Sequence, residues 1–423
     1  MALELSRSME EWKEYKLGEI CGIFTGKKDV NQTTQNGEYP FFSCAPNPYK
    51  SSEYIYDGNA IIVAGNGSFT GRVSFYKGKF DLYQRTYACT PIIEDLDFDF
   101  LYYYMKTFFE PKFMGGTRGS SIPYIVRGDL ANFVVELPSL ILQQRISSIF
   151  KSLDDKIEVN RRINENLEQQ AQVLFKSWFV DFEPFKDQPF VESELGMIPQ
   201  GWRVGRYDDI IDATISGDWG KEHPEGNYIH KVACIRGCDF QDIKNGLRGK
   251  TPERFILEKN FQAKHFKDKD ILVEISGGTA TVSTGRVCPV SQLLIDKFCA
   301  NIVCTNFCRL VRPKNKYGAY LYYSWLYKYN NKVMFGYENG TSGIKNFRIK
   351  DFTALEPVVI PSEEAMSSFQ SLVDKLQMKM QINGSESQKL ATLRDTLLPR
   401  LMSGELKVQN SDLINEMLEK GIR

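Results

Sequence analysis

The chain has 423 residues, a length that exceeds one ordinary hydrophobic core and predicts about two to four folding units. Hydrophobic residues make up 42% of the sequence and aromatic residues 13%, which excludes a disordered chain, and no apolar run approaches the roughly 20 residues that cross a bilayer. The formal net charge of zero argues against a generic polyanion binder, and nine scattered cysteines favour reduced thiols over a disulfide framework.

Charge is unevenly distributed along the chain. Residues 196–361 contain more Lys and Arg than Asp and Glu, whereas residues 1–138 are slightly acidic. A basic segment is compatible with phosphate contacts, so the two halves differ in how they would meet nucleic acid. The first residues also lack the basic-then-apolar pattern of a signal peptide, and together with the reduced thiols this predicts a cytoplasmic protein.

Residues 1–138 predict a first β-rich domain. The apolar run 60–64 is typical of a buried strand, and the aromatic run 100–105 predicts a helix that packs in the core. Two polar, glycine-rich loops, 65–72 and 115–121, favour a ligand-binding edge, because small residues let a backbone approach a ligand and Ser, Asn and Arg donate to phosphates and bases. Ordinary hairpin turns and solvated surface charges are the alternative interpretation. The expected DNA contacts are Lys27, Lys28, Asn66, Ser68, Arg72, Arg85, Arg118 and Ser120.

Residues 139–183 predict a first long helix, and residues 184–202 predict a linker. Apolar residues that recur every seven positions indicate the seam of a coiled coil. The seam residues of this helix are Ile146, Leu153, Asn160, Leu167 and Leu174.

Residues 203–361 predict a second β-rich domain with the same order of features. A buried strand is expected at 271–275, an aromatic helix at 320–326, and glycine-rich loops at 276–286 and 339–346. The expected DNA contacts of this domain are Arg236, Lys250, Thr279, Arg286, Thr341, Ser342, Lys345 and Asn346. The domain is followed by a second long helix, 362–404, and a C-terminal tail, 405–423.

The second helix repeats the seam of the first at a constant offset of 223 residues. Its seam residues are Phe369, Leu376, Asn383, Leu390 and Leu397. This repetition indicates a tandem duplication. If a two-fold axis relates the repeats, the helices run antiparallel and Asn160 faces Asn383, where a buried Asn fixes register at some cost in stability. A weakly packed turn is the alternative interpretation of the two asparagines. At ~1.5 Å per residue, about 38 helical residues would span roughly 57 Å.

The sequence lacks the motifs of an active site. It has no Gly-Lys-Ser/Thr phosphate loop, and the Gly65-Asn-Gly67 pattern is not followed by the helix that dinucleotide binding requires. Only three histidines are present, and no cysteine pair has the spacing of a structural zinc site. We therefore expect no catalytic residue, no metal site and no cofactor bound by this chain.

Several motifs together resemble the specificity subunit of type I restriction-modification systems. The likeness rests on the tandem order and on the Leu-Pro-Ser and Ile-Pro-Ser junctions before the helices. It also rests on three segments: FKSWFVDFEPF at 175–185, LGMIPQGW at 195–202 and LPRLMSGEL at 398–406. One departure is visible at the first junction, where Ile141-Leu142-Gln143 replaces the acidic-Gln pair common after the proline. The departure concerns partner contacts at the start of the helix.

The resemblance implies an α+β fold, in which two β-rich target-recognition domains are joined by two long antiparallel coiled-coil helices in a pseudo-two-fold tandem repeat. Each domain would read one half of a bipartite asymmetric DNA site, and the helices would set the gap. Two modification subunits would supply S-adenosylmethionine chemistry on adenine. Restriction subunits would add ATP- and Mg-dependent translocation and cleavage.

Two other interpretations stay open at the level of sequence. The chain could be a non-DNA interaction protein with two β-rich heads on a coiled coil, which its neutral net charge favours slightly. It could also serve a related system whose partner is a fused methylase–nuclease, which the genes beside it would reveal. An enzyme with its own active site is disfavoured by the missing motifs. The two domains differ strongly in sequence outside the shared frame, which predicts two different half-sites.

Overall fold

A computed structural model of the chain describes residues 12–115, 122–279, 281–314, 316–340 and 344–406. It divides into two compact units: the first holds the described residues of 1–156 and 389–423, and the second holds 157–388. Helices and mainly antiparallel sheets occur in both units, so the α+β fold class is confirmed. Within the described ranges, no helix has the length and apolar character needed to span a membrane.

The first β-rich domain is built on one six-stranded sheet. Its elements are β1 (Lys13–Lys16), α1 (Leu17–Ile20), β2 (Cys21–Thr25), β3 (Tyr39–Phe42), β4 (Tyr49–Ser51), β5 (Tyr56–Ala64), β6 (Val73–Leu82), β7 (Thr86–Pro91), α2 (Phe98–Tyr104), α3 (Glu110–Phe113), α4 (Arg127–Ala131) and β8 (Val134–Leu137). The strand order is β2-β7-β5-β6-β3-β4, and only β3 and β6 run parallel. A separate two-stranded sheet pairs β1 with β8, which leads directly into the long helix α5 (Leu140–Phe179).

Both faces of the first sheet are covered, which explains the continuous apolar run of β5. On one face Phe75 packs against Phe98 and Tyr102 of α2, with ring centroids 6.0 and 5.9 Å apart. On the other face Phe80 packs against Tyr56, Phe42 and Tyr76. A strand buried on both faces has no solvent-facing positions, so it reads as an apolar run.

The second unit has more elements than the first. They are β9 (Phe190–Ser193), β10 (Gly196–Pro199), β11 (Arg203–Arg206), α6 (Tyr207–Ile210), β12 (Ile211–Ser216), β13 (Tyr228–Ile235), α7 (Phe240–Lys244), β14 (Glu253–Leu257), α8 (Glu258–Lys264), β15 (Ile271–Glu274), β16 (Ser276–Gly277), β17 (Val287–Pro289), α9 (Gln292–Lys297), β18 (Ile302–Cys304), β19 (Cys308–Pro313), α10 (Gly318–Asn330), β20 (Glu338–Asn339), β21 (Lys345–Phe347), α11 (Ile349–Leu355), β22 (Pro357–Ile360) and α12 (Glu363–Met402).

The strand order repeats between the two domains. The four-stranded sheet β12-β19-β15-β17 has the order of β2-β7-β5-β6, and β11 pairs with β22 before α12 as β1 pairs with β8 before α5. The second domain adds a three-stranded sheet, β14-β13-β18, and a smaller one, β16-β21-β20. The aromatic helices α2 and α10 also correspond, and both are largely buried, as predicted. The duplication therefore extends from sequence to topology.

In the second unit, the long helices pack antiparallel. Phe175 and Phe179, near the end of α5, contact Phe369, near the start of α12, with ring centroids 6.1 and 5.0 Å apart. Asn160, earlier in α5, contacts Asn383, later in α12. In the first unit, Asp154 of α5 accepts a hydrogen bond from Arg394 of α12 at 2.6 Å. Every residue of the predicted seam is buried or half-buried.

The asparagines form a buried network with the predicted symmetry. The Asn160 amide nitrogen lies 3.4 Å from the Asn383 carbonyl oxygen and 3.3 Å from Ser387 Oγ. The Asn383 amide nitrogen donates to Asn164 Oδ1 at 2.9 Å. Asn164 and Ser387 are equivalent under the same offset as Asn160 and Asn383. The contact of Asn160 with Ser387 and the contact of Asn383 with Asn164 are therefore related by the pseudo-two-fold axis of the repeat. The prediction that the equivalent asparagines face each other is confirmed.

We expect Phe369→Ala to destabilise the chain by about 3–5 kcal/mol, because Phe369 is fully buried among Phe175, Trp178, Phe179 and Tyr323 and its removal leaves a cavity. Leu372→Ala on the exposed face of the same helix should change stability by less than about 0.5 kcal/mol. Urea unfolding followed by circular dichroism measures both. Equal effects would contradict the packing described here.

Candidate nucleic-acid interface

Loops from distant parts of the first domain meet at one place, defined here as the first loop cluster: residues 43–47, 65–72, 83–85 and 122–125. The Gly65 N–H donates to the Arg85 carbonyl at 3.0 Å, and the Gly67 N–H donates to the Pro123 carbonyl at 3.0 Å. The Cys44 thiol donates to Asn66 Oδ1 at 2.9 Å. The glycine-rich loop 65–72 is therefore held from three sides.

Glycines are required where these loops approach each other. A Cβ at Gly65 would lie 2.3 Å from the Arg85 carbonyl oxygen, and one at Gly71, whose φ is +86°, would lie 2.5 Å from the Phe113 carbonyl oxygen. The sequence interpretation missed Gly26, where a Cβ would lie 1.5 Å from the Leu82 carbonyl oxygen. Gly217 occupies the matching place after β12, where a Cβ would lie 2.0 Å from the Thr305 carbonyl oxygen, so the repetition could have revealed both.

Of the four described cations that were expected to contact DNA in the first domain, three make no ion pair within the described residues: Lys27, Arg72 and Arg85. Lys27 and Arg85 are exposed, as is Ser68 in the adjoining loop. Arg72 is half-buried, donates to the Ala45 carbonyl and lies 5.3 Å from the centre of the Phe69 ring. Burial lowers the pKa of Arg72 from its usual value, since desolvation disfavours the charged guanidinium.

Lys28 differs from these three cations. Its ammonium contacts Asp81 at 2.8 Å and Glu53 at 2.9 Å, and the hydrogen bond to the buried Asp81 raises the pKa of Lys28. The interaction ties the loop after β2 to the end of β6. Lys28 thus has a structural role, whatever else it contacts.

The second domain has a matching second loop cluster: residues 274–286, 305–308 and 338–347, described except for 280 and 341–343. The Ile275 N–H donates to the Phe307 carbonyl at 2.9 Å, and the Phe347 N–H donates to the Ile275 carbonyl at 2.8 Å. Ser276 Oγ donates to Asn346 Oδ1 at 2.6 Å. Thr279 and Asn346 are exposed in this cluster.

Both expected DNA-contacting cations in this cluster, Arg286 and Lys345, are ion-paired. Arg286 makes a bidentate contact with the buried Glu274 at 2.6 and 2.7 Å, and this hydrogen bonding raises the pKa of Arg286. Lys345 contacts Glu338 at 2.9 Å. Burial acts to raise the pKa of Glu338, but hydrogen bonds from Lys345 and Thr284 outweigh it and the pKa falls below its usual value.

Arg72 and Arg286 occupy the same turn in the two domains. Gly71 N–H donates to the Ala64 carbonyl at 2.8 Å, and Gly285 N–H donates to the Glu274 carbonyl at 2.9 Å. Ala64 and Glu274 are therefore equivalent positions at the end of a central strand. The first domain has Ala64 in place of that carboxylate, so within the described residues Arg72 makes no ion pair like that of Arg286 with Glu274.

Arg236 and Lys250 lie on a third segment of the second domain. Arg236 pairs with the buried Asp239 at 3.0 Å, which raises the pKa of Arg236, and donates to the Lys250 carbonyl at 2.7 Å. Lys250 is exposed and makes no ion pair within the described part of the chain. Arg118, Ser120, Thr341 and Ser342 lie outside the described residues.

Potential metal ligands are dispersed in the described part of the chain, and several of its cysteines are buried. No group of three or more His, Cys, Asp or Glu side chains there is placed to hold a metal ion. Burial raises the pKa of Cys21, Cys234 and Cys308 to about 12, which keeps these thiols protonated and unreactive near neutral pH.

Comparison with known proteins agrees with this geometry. Residues 9–169 match the family model described as type I restriction modification DNA specificity domain. The chain is 30% identical to the type I restriction enzyme MjaIX specificity subunit of Methanocaldococcus jannaschii over 96% of each chain. It is 34% identical to the EcoDI specificity subunit of Escherichia coli, over 52% of this chain and 53% of that relative. The solved S subunit from M. genitalium has a similar fold, with a TM-score of 0.57 at 16% identity, covering 94% of this chain and 98% of that one.

We expect Arg286→Ala to destabilise the second unit by about 1–3 kcal/mol, because it leaves the buried Glu274 carboxylate without its partner. The double variant Arg286→Ala/Glu274→Ala should be more stable than Arg286→Ala alone, since it removes the unpaired charge. Thermal unfolding of the three proteins measures this order. A double variant less stable than Arg286→Ala would contradict the role assigned to the pair.

Proposed function

Because this chain belongs to the family of type I restriction-modification DNA specificity subunits, we propose that each of its two β-rich domains reads one half of a bipartite, asymmetric DNA site. The chain supplies DNA sequence specificity and is non-catalytic, since catalysis in this family lies in partner subunits. The family favours this function over the alternative of a non-DNA interaction protein. In this proposal the long helices set the unread gap between the half-sites.

The repeated turn at Gly71-Arg72 and Gly285-Arg286 is the observation that best supports two separate reading domains. One backbone frame recurs, but the side chains around it differ in charge, as the Ala64 and Glu274 positions show. Direct readout depends on which donors and acceptors reach the base edges. Two domains with one frame and different side chains suit two different half-sites.

The proposed contacts to DNA are those expected side chains that make no ion pair with a carboxylate. In the first domain Arg72, Lys27 and Arg85 contact phosphates or bases, together with the polar Asn66 and Ser68, and Arg118 and Ser120 remain expected contacts. In the second domain the contacts come from Lys250, Thr279 and Asn346, with Thr341 and Ser342 as further expected contacts. Lys28, Arg236, Arg286 and Lys345 chiefly hold their loops in shape, since each is paired with a carboxylate.

The chain acts on double-stranded DNA within a complex of other subunits. We further propose that two modification subunits dock on the helices and that restriction subunits with translocase activity complete the complex. S-adenosylmethionine, ATP and Mg would be bound by those partners. The complex would work in the cytoplasm, where its nine cysteines, all free thiols here, stay reduced.

Adenine methylation in cells that contain the modification subunit tests the function directly. We expect a new split motif with an unspecific middle only when this chain is also present, because the chain supplies sequence choice and its partner supplies the chemistry. Sequencing that detects N6-methyladenine across the genome makes the measurement. Absence of new methylation in cells where the complex is shown to assemble would contradict the proposal.

We expect Arg72→Ala and Lys250→Ala each to weaken binding of the cognate duplex by the assembled complex. A lost phosphate contact should reduce the slope of log K against log salt by about one, and a lost base contact should relax one motif position at a cost of about 1–3 kcal/mol. Titrations at several salt concentrations separate the two.

Matched controls remove charge away from the loop clusters. Lys13 lies on β1 in the first unit, and Lys314 lies just past β19, at the end of the sheet opposite the second loop cluster. Lys13→Ala and Lys314→Ala should leave affinity and salt slope unchanged. Unchanged binding in Arg72→Ala and Lys250→Ala would overturn the contact assignment.

A further inference from the structure

Gly384 lies in the interior of α12, where a glycine is unfavourable. Glycine destabilises a helix interior relative to alanine, because it loses more backbone freedom on folding. The equivalent position in α5, 223 residues earlier, is Arg161, which is exposed and pairs with Glu158 and Glu165. The duplication therefore gives no reason for glycine at 384, and a local contact must supply one.

That contact is a turn of the second recognition domain. A Cβ at Gly384 would lie 2.0 Å from the Asn245 carbonyl oxygen and 2.5 Å from the Gly246 Cα. In return, a Cβ at Gly246, whose φ is +76°, would lie 2.8 Å from the Gln381 Cα. Two glycines therefore let the backbone of the turn lie directly on the backbone of the helix, and we name this contact the Gly246–Gly384 junction.

Side chains from both helices hold the turn in place. Gln381 of α12 donates from Nε2 to the Ile243 carbonyl at 3.1 Å. Asn164 of α5 donates from Nδ2 to the Asn245 carbonyl at 3.2 Å and to the Met380 carbonyl at 3.0 Å. The Lys297 ammonium donates to the Gly246 carbonyl from within the domain. One asparagine amide thus joins α5, α12 and the turn.

Asn164 also belongs to the network that sets helix register. Its Oδ1 accepts the hydrogen bond from Asn383 while its Nδ2 binds the turn. The register of the helices and the placement of the turn therefore depend on one side chain. Buried hydrogen bonds of this kind fix the relative positions of the groups that they join, because each buried donor is satisfied in one arrangement only.

The turn is the inner end of segment 236–250. The Leu247 N–H donates to the Asp242 carbonyl at 2.8 Å, and Arg236 donates to the Lys250 carbonyl at 2.7 Å, which closes the segment on itself. Its outer end presents Lys250, a cation proposed above to contact DNA. A compact segment fixed at its inner end holds its outer end in a defined position.

We propose that the Gly246–Gly384 junction is a positioning device that fixes segment 236–250, and with it the reading face of the second domain, to the middle of the helix pair. The inference rests on the proposed function and extends it to residues remote from the loop clusters. Gly246, Gly384, Gln381 and Asn164 are positioning residues, which act on DNA choice through the segment that they hold.

Its consequence is strict selection of gap length. A second domain fixed to the helices meets its half-site at one separation only, whereas a loosened domain tolerates other separations. Loosening the junction should therefore weaken discrimination against altered gaps and against altered bases in the half-site that the second domain reads. Discrimination against altered bases in the other half-site should be unchanged.

Two variants test the junction in the assembled complex. Gly384→Ala adds a Cβ where the turn lies, and Gln381→Ala removes the hydrogen bond to Ile243 without adding atoms. The control is Ser371→Ala, on an exposed position of the same helix. Gly384→Ala should lower Tm although alanine is the better helix former, which a glycine without a contact would not do.

The functional measurement uses duplexes with the motif found by methylation sequencing. One set has the gap changed by a single base pair, and another has one base pair changed in either half. A changed base pair usually weakens specific binding about five-fold or more. The penalty for a change is the ratio of the affinity for the cognate duplex to the affinity for the altered duplex. For Gly384→Ala and Gln381→Ala, we expect this ratio to fall by about five-fold or more for gap changes and for changes in the second domain's half-site.

The possible outcomes distinguish a failure of the inference about the junction from a failure of the proposed function. If the wild-type complex has a bipartite motif but both variants keep wild-type penalties, the junction does not position the domain and the inference is overturned. If Gly384→Ala does not fold, Gln381→Ala decides by the same comparison. Equal loss of discrimination in both half-sites would also overturn it. A wild-type complex without any bipartite motif would instead refute the proposed function, and the inference with it.

Discussion

The paired contact of Asn160 with Asn383 is the constraint on which much of the second unit depends. Leucine and phenylalanine seams tolerate sliding, because apolar contact has no direction, whereas a buried amide is satisfied at one register only. With the register set, Phe175 and Phe179 meet Phe369 and Tyr320, and the second domain packs on this aromatic cluster. The same asparagine network reaches the turn at Gly246 through Asn164.

The two β-rich domains show how one backbone frame carries two different surfaces. The turn after the central strand is closed by the same pair of backbone hydrogen bonds in both. The position that holds Ala64 in the first domain holds Glu274 in the second. Only in the second domain does the arginine of the turn therefore find a carboxylate there to pair with. In the first domain, which is slightly acidic overall, Arg72 makes no such ion pair within the described residues. In the second domain, Glu274 and Glu338 pair with Arg286 and Lys345 and hold the loops in shape. Lys250 and uncharged donors are exposed there.

The motifs that resemble the family have identifiable structural roles. Phe175, Trp178 and Phe179 at the C-terminal end of α5 pack against Phe369 or Trp202, which opens the second domain. The hairpin of β9 and β10 ends just before Trp202, whose ring also meets Phe185 at 4.8 Å. At the other end of the chain, Gly404 lies against the ring of Trp12. These segments connect helices to domains, and they are not part of the loop clusters.

The sequence by itself determined the repeat, the two helices, the seam and the facing asparagines, because periodicity and a constant offset are properties of the chain alone. It also located the glycine-rich loops, since turn chemistry is local. Only the tertiary structure decided which cations are ion-paired. Arg286 and Lys345 look like Arg72 in sequence, but Arg286 pairs with Glu274 of β15 and Lys345 pairs with Glu338 of the neighbouring strand β20. Gly384 was visible as a helix-interior glycine, yet its meaning required the turn at Gly246, which lies far away in the chain. Ion pairing depends on how strands and turns bring side chains together, and the close backbone approach joins residues distant in sequence, so a linear pattern encodes neither.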